Sequence, residues 1–331
     1  MNAGWLHTCR KALVFGALVI TSHALMGQEI LLTRQATLMG SVFDISIVDV
    51  DSAQANQHID QVIAEVIRIE NLISEWQPHT PISRVNQQAG ARPVVVDREV
   101  FELTKRALMY SQLSDGAFDI SVAGLDQVWR FDGSMNELPT EEMVQRSIAH
   151  VGYQYIVLDS AASSIYLSKK GMKIGFGSIG KGYAADKGRE LMQKLGVKGG
   201  IVNASGDLAT WGAPPQKQYW KIGLNHPFRP HKMIQVLKLE EEAVATSGSY
   251  QKYAEIAGTR YAHIINPKTG YPSTGLTSVS IYGPSCEMAN ALSTSIMVLG
   301  REKGKALMKA FPGYHYIFVT DAGRILKSRK H

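Results

Sequence analysis

Residues 173–212 read KIGFGSIGKGYAADKGRELMQKLGVKGGIVNASGDLATWG, two glycine-rich turns around one short amphipathic helix. Glycine tolerates close backbone approach, and the first N–H groups of a helix, with its dipole, favour an anion. Gly175, Gly177, Gly180 and Gly182 flank the helix start and Lys181 stands at its mouth, the outline of an anion site. The spacing is neither GxxxxGK(S/T) nor a GxGxxG following a strand, so the same glycines also fit a reading as tight turns alone. Residues 181–195 form the helix, stopped by Gly196, and residues 200–203 read as a strand beyond it.

Working outward, residues 42–48 alternate, with Phe43, Ile45 and Ile47 on one face and Asp44 and Ser46 on the other, as in a half-buried strand. Ile59, Val62, Ile63, Val66, Ile67 and Ile73 then recur at helical spacing. A further helix starts with Asp97 as its cap and runs to about Leu113. Residues 278–282 read as a strand, a helix runs from Cys286 to Gly300, and residues 314–326 form a hairpin turning at Asp321, Ala322 and Gly323. Helices and strands alternate without steady βαβ repeats, so the expected class is α+β rather than a doubly wound sheet. The polar, turn-rich run at 132–139 reads as a surface excursion or as a seam between two subdomains of the region 28–331.

At 331 residues and 45% hydrophobic the chain can bury a large core, and 19% charged residues argue against disorder. Residues 1–27 carry Arg10 and Lys11, the apolar run ALVFGALVI at 12–20 and small residues near Ala24, the pattern of a signal peptide; an uncleaved anchor is the alternative. Cys9 precedes the apolar run, which disfavours a lipoprotein, and cleavage leaves only Cys286, which excludes an intrachain disulfide and a cysteine metal site. Loss of Arg10 and Lys11 takes the formal charge from +6 to +4. That mild excess suits an anionic ligand, and no basic run with interleaved aromatics points to nucleic acid.

Asn290, Ser293 and Thr294 lie at i, i+3 and i+4, so three oxygen-bearing side chains share a helix face. They fit either a Mg²⁺ site completed by phosphate and water or the packing of small polar groups against a strand. His263, in HIINPKTG, has a side chain able to move a proton near neutral pH, although a strand histidine is often structural.

Together with SDGAFDIS at 114–121, AVATSGSYQKY at 243–253, RYAHIINPKTGYP at 260–272 and CEMANALSTSIMVLG at 286–300, the glycine-rich stretch resembles the FAD:protein FMN transferases, the ApbE family, over residues 33–326. The resemblance implies a single large catalytic domain of ApbE or T-fold-like type and an exported, Mg²⁺-dependent enzyme. Such an enzyme moves FMN from FAD onto a Thr or Ser hydroxyl of a partner protein and releases AMP.

By motif, the resemblance places flavin contacts at Met39, Trp76, Ala117, Phe118, Asp119, Gly175, Lys181 and Ile264, and the proton-moving role at His263. Metal contacts fall at the Ser178 carbonyl and at Asn290, Ser293 and Thr294. Ser83, Asn86, Thr246 and Ser247 match polar motif positions with no separate role. Three positions depart from the pattern: Gly175, Asn266 and Asn290 stand where relatives commonly carry aspartate. The implied partners are flavin subunits of membrane redox complexes, of the Rnf or sodium-pumping NADH:quinone oxidoreductase type, or exported flavoproteins, in a periplasmic setting. The alternatives are a pyrophosphatase splitting FAD into FMN and AMP, and a non-catalytic periplasmic FAD-binding protein.

Overall fold

The computed structural model describes residues 1, 28–125, 128–229, 231–250 and 252–328. The expected leader at 1–27 lies outside the described residues apart from Met1. In chain order the first half carries β1 (Ile30–Leu38), β2 (Ser41–Asp49), α1 (Ser52–Ile73), α2 (Pro81–Gln87), β3 (Val94–Val95), α3 (Arg98–Leu113), α4 (Glu141–Ile148), β4 (Ile156–Asp159) and β5 (Ser164–Leu167). The second carries α5 (Gly180–Lys194), β6 (Gly199–Ala204), β7 (Asp207–Trp211), β8 (Trp220–Asn225), β9 (Met233–Leu239), β10 (Ala243–Gly248), β11 (Tyr253–Ile256), β12 (Thr259–Ala262), β13 (Leu276–Gly283), α6 (Cys286–Met308), β14 (His315–Thr320) and β15 (Ile325–Lys327).

Eight strands form one sheet in the order β1-β2-β6-β7-β10-β13-β14-β15, every neighbouring pair antiparallel. Helices α1, α5 and α6 lie across one face, and the side chains between them form the main core around Phe43, Ile45, Ile59, Val62, Val202 and Ile281. The β8–β9 hairpin covers the other face, where Leu237 and Leu239 meet Leu208, Val244, Tyr282 and Ile317. With both faces covered, β7 is buried at all five positions and β13 at all eight, so neither shows the alternation of a half-exposed strand. Because β2 pairs with β6, residues 50–198 leave the sheet and return to it at neighbouring strands.

Helix α1 starts at its cap, where Asp51 accepts the Gln54 N–H at 2.8 Å, and buries Ala55, Ile59, Val62, Val66, Ile69 and Ile73. Asp97 does precede α3, but its side chain makes no capping hydrogen bond. The expected stop of α6 at Gly300 is a break in one longer element: Gly300 has φ +75°, and a second helical segment continues to Met308. The closing hairpin turns as expected, with the Gly323 N–H donating to the Thr320 carbonyl at 2.8 Å. Among the described residues no helix is long and apolar enough to cross a membrane.

Candidate functional site

The glycines around α5 divide by what surrounds them. A Cβ on Gly175 would lie 2.5 Å from Glu75 Oε1, one on Gly180 3.0 Å from Ile73 Cδ1, and one on Gly182 2.6 Å from the Cys286 carbonyl oxygen. Only Gly177 of the four has nothing within 4 Å. Three of these glycines therefore let other parts of the protein approach the backbone, and Gly177 alone faces open space. The second turn behaves alike, since a Cβ on Gly200 would run into the Trp211 ring at 2.4 Å. The helix mouth itself stays positive, because Ile179 offers no capping side chain and no acid stands in the first turn beside Lys181.

Helix α6 is aimed by a buried cap from α5. Asp186 accepts the Cys286 and Glu287 N–H groups at 3.0 Å each and the Ser285 hydroxyl at 2.8 Å, while Arg189 bonds the same carboxylate at 2.9 Å. One turn on, Asn290 is 6% exposed, and its Oδ1 is buried with no hydrogen-bond partner among the described residues. Beside it the Ser293 hydroxyl donates to the Asn290 carbonyl at 3.0 Å and lies 2.8 Å from Ser247 Oγ on β10, with Thr294 Oγ1 3.3 Å from that same Ser247. A buried acceptor left unpaired costs about 1–3 kcal/mol, so the orphan oxygen is an acceptor that a ligand or a water could complete. Asn290, Ser293 and Thr294 together offer uncharged oxygens, which suit a hard cation whose remaining ligands are phosphate and water. Among the described residues no group of three or more His, Cys, Asp or Glu side chains could hold a metal.

The charge of Lys181 is felt by Asp207, His263 and Cys286. Asp207, at the start of β7, is buried, accepts the Thr246 N–H at 3.3 Å and is pushed up to about 6 by burial, with Lys181 pulling the other way. His263 is lowered, first by burial and then by the positive charges of Lys252 and Lys181, against the raising effect of its bond to the Lys252 carbonyl. Its Nδ1 lies 3.1 Å from that carbonyl oxygen. A carbonyl can only accept, so Nδ1 carries the proton and the neutral ring keeps a bare Nε2. The ring packs at 6.4 Å against Phe131, which stacks on Trp129 at 6.3 Å, and Tyr261 and Tyr271 also meet Trp129. Next to it the Ile264 carbonyl accepts from both the N–H and the hydroxyl of Ser273. Asn266 Oδ1 accepts the Lys268 N–H at 2.9 Å and so holds the Pro-Lys-Thr-Gly turn, a role an amide fills as well as a carboxylate.

The expected flavin contacts fall into exposed and enclosed sets. Trp76 is 74% exposed and lines a cleft of about 420 Å³ with Glu75, Ser83, Asn86, Ala123 and Lys173. Met39 sits at φ +50° in the β1–β2 turn, its N–H donating to Glu70 at 3.0 Å. Ala117 is buried, and Phe118 is fully enclosed and meets Tyr110 edge to face at 5.9 Å, so its ring presents no surface to a ligand. Asp119 lines a second cleft of about 590 Å³. Its carboxylate holds the neighbouring loops together, accepting from the Ser121 N–H at 2.8 Å, the Ser121 hydroxyl at 2.6 Å and the Tyr153 N–H at 2.7 Å. Burial raises Asp119 and those three bonds oppose the rise. Ser178 lies in the turn before α5.

Compared with known proteins, residues 39–318 match the model of the ApbE family. The chain belongs to the ApbE family. A relative from Treponema pallidum (strain Nichols), named FAD:protein FMN transferase, is 30% identical over 84% of this chain and 81% of its own length. One of the same name from Klebsiella pneumoniae (strain 342) is 31% identical over 88% and 90%. The crystal structure of the ApbE protein of Thermotoga maritima superposes with a TM-score of 0.83 at 30% identity, covering 91% of this chain and 97% of that one. The apo flavinyl transferase ApbE of Pseudomonas stutzeri gives 0.79 at 26%, covering 91% and 96%.

Within this ApbE-family chain the sequence reading passed over Asp207, Glu75, Asp186 and the aromatic wall behind His263. Asp207 carried a signal of a kind, since it is an acid in an otherwise apolar or small-residue run, and buried acids need partners. Glu75 carried none, because its approach to Gly175 joins segments one hundred residues apart in the chain. Ser83 and Asn86 acquire roles: the Ser83 hydroxyl donates to the Glu75 carbonyl, and the Asn86 amide brackets Ile174 through its carbonyl at 2.9 Å and its N–H at 2.8 Å.

Proposed function

We propose that this chain transfers the FMN half of FAD onto a Thr or Ser hydroxyl of a partner protein and releases AMP. The observation that carries the reading is the buried, unpartnered Asn290 Oδ1 among the Ser247, Ser293 and Thr294 hydroxyls, on the helix whose N-terminus is capped from the Lys181 helix. Curated relatives matching most of the chain share the name FAD:protein FMN transferase. Asn290, Ser293, Thr294 and the Ser178 carbonyl would hold Mg²⁺, which supplies charge neutralisation at the pyrophosphate when bound. Lys181 and the uncapped first turn of α5 add positive charge on the protein's side.

In the transfer, the acceptor oxygen attacks the phosphorus of the FMN half, a P–O bond to the protein forms, and the bridging P–O bond breaks with its electrons leaving on AMP. The hydroxyl proton passes to His263 Nε2, which burial keeps neutral and receptive. Trp76 offers an exposed aromatic face to the flat ring system. The acceptor classes and the export implied by the resemblance belong to this proposal.

The test is incubation with FAD, Mg²⁺ and an acceptor domain bearing a flavinylation-type Thr, followed by intact mass. An acceptor gaining one FMN moiety supports transfer; free FMN with unmodified acceptor indicates the pyrophosphatase, and intact FAD retained with Mg²⁺ present indicates a binding protein. In the same assay the rate should stay level above neutrality and fall in acid with a midpoint below 6.5, because His263 is lowered from that value.

A further inference from the structure

Gly175 and Glu75 form a matched pair. A Cβ at position 175 would lie 2.5 Å from Glu75 Oε1, 2.7 Å from its Cδ and 3.1 Å from the Ala123 Cβ, so the carboxylate rests on bare backbone. The backbone on both sides of this contact is held. On the glutamate side, the Thr80 hydroxyl donates to the Ser74 carbonyl at 2.6 Å and to that of Gln77 at 3.1 Å, and the Ser83 hydroxyl donates to the Glu75 carbonyl at 3.2 Å. On the glycine side, the Asn86 amide clamps both backbone groups of Ile174, and the Gly175 N–H donates to the Ile120 carbonyl at 3.0 Å. With both backbones held, a side chain at 175 is accommodated by rotation of the Glu75 side chain, which displaces the carboxylate.

The place so protected lies in the 420 Å³ cleft with Trp76, Ser83, Asn86, Ala123 and Lys173. An aromatic face beside a carboxylate recognises a flat ring that carries N–H or O–H donors, which the ring imide and ribityl hydroxyls of a flavin provide. We propose that Glu75 is a substrate-binding acid of this site, contacting a polar donor on the flavin half of FAD from a segment distant in sequence from Gly175. The inference rests on the function proposed above. It adds a specific contact to it.

The experiment measures dissociation constants of FAD, riboflavin, lumiflavin and ADP for purified variants, by flavin fluorescence and calorimetry. Glu75→Ala should weaken FAD and riboflavin roughly 10- to 100-fold, the range of a charge-assisted hydrogen bond, and leave ADP within about twofold. A loss for lumiflavin as well assigns the contact to the ring imide; a loss confined to riboflavin and FAD assigns it to the ribityl chain. Gly175→Ala should weaken flavin binding in the wild-type background and add nothing in the Glu75→Ala background, the non-additivity of one shared contact. Moving the acid, Glu75→Ala with Gly175→Asp, should restore part of the affinity. Should Glu75→Ala fail to fold, the isosteric Glu75→Gln carries the comparison, with an expected loss of about 10-fold. FAD binding by Glu75→Ala within twofold of wild type, or an ADP loss equal to that of riboflavin, overturns the inference. Failure of the wild-type protein to bind FAD is a separate result that overturns the proposed function and this inference with it.

Discussion

Asn290 concentrates the consequences at the scale of one residue. Its unpartnered amide oxygen stands where an anionic oxygen would bind a hard dication better, so Asn290→Asp should lower the Mg²⁺ concentration for half-maximal FMN transfer. Thr294→Val, which deletes a donor at nearly constant volume, should raise it; a Mg²⁺ titration that moves for neither variant removes this helix face from the metal site. Asp207 makes the opposite kind of statement, because its charge is disfavoured by burial. Its folded value of about 6 lies above the ordinary 3.8. The stability held by its neutral form is therefore complete below about 3.8 and is lost as pH rises through 6. Asp207→Asn, which keeps an acceptor for the Thr246 N–H, should stabilise the chelator-treated protein by about 3 kcal/mol at pH 8. The gain should vanish below pH 4, and urea unfolding at the two pH values measures it.

Among the elements, α5 and α6 depend on each other through Asp186. A Cβ at Gly182 would collide with the Cys286 carbonyl, so the two helices meet at the start of α6, where the Asp186 carboxylate takes two α6 N–H groups. Asp186→Ala leaves those donors and Arg189 without their partner, and removing one side of a buried charged pair costs about 3–5 kcal/mol. The urea midpoint should fall with an unchanged slope. Its reach into the site is geometric, since Asn290, Ser293 and Thr294 follow on the helix that this cap aims. The same crossing gives the glycine-rich stretch a packing reason for its small residues, because crowding by Ile73, Glu75 and Cys286 comes from elements that no local spacing reveals.

For the whole molecule, what the sequence made legible followed periodicity and what it hid followed long-range burial. Helices α1, α3, α5 and α6, strands β2 and β6 and the closing hairpin each carry a 3.6- or 2-residue pattern or a clear turn. Strands β7 and β10 are covered on both faces and show no alternation, and the β8–β9 hairpin, which covers one of those faces, was not anticipated. The shared face of Asn290, Ser293 and Thr294 was readable from spacing; the orphan state of Asn290 Oδ1 was not, since it depends on what β10 and its neighbours leave unfilled. The aromatic wall behind His263 joins Trp129 and Phe131 to Tyr261 and Tyr271, segments whose meeting only the fold decides.

The return of the chain from β2 to β6 has a mechanical consequence. A single cut in the largely exposed run at 132–139 would leave β1 and β2 on one piece and β6 onward on the other, yet β2 and β6 are laced together from Phe43 to Val48 against Ala204 to Gly199. The pairing of β3 with β5 adds a second seam across the same cut. A protease site engineered at 134–137 and cleaved to completion should thus yield two fragments that co-elute on gel filtration as one intact-sized particle. Separate elution in native buffer would show that continuity of the chain, rather than the lacing of its strands, holds the halves together. If they stay joined, the strand pairing alone carries the load that the peptide bond carried, and the chain is held across the cut by β2–β6 and β3–β5.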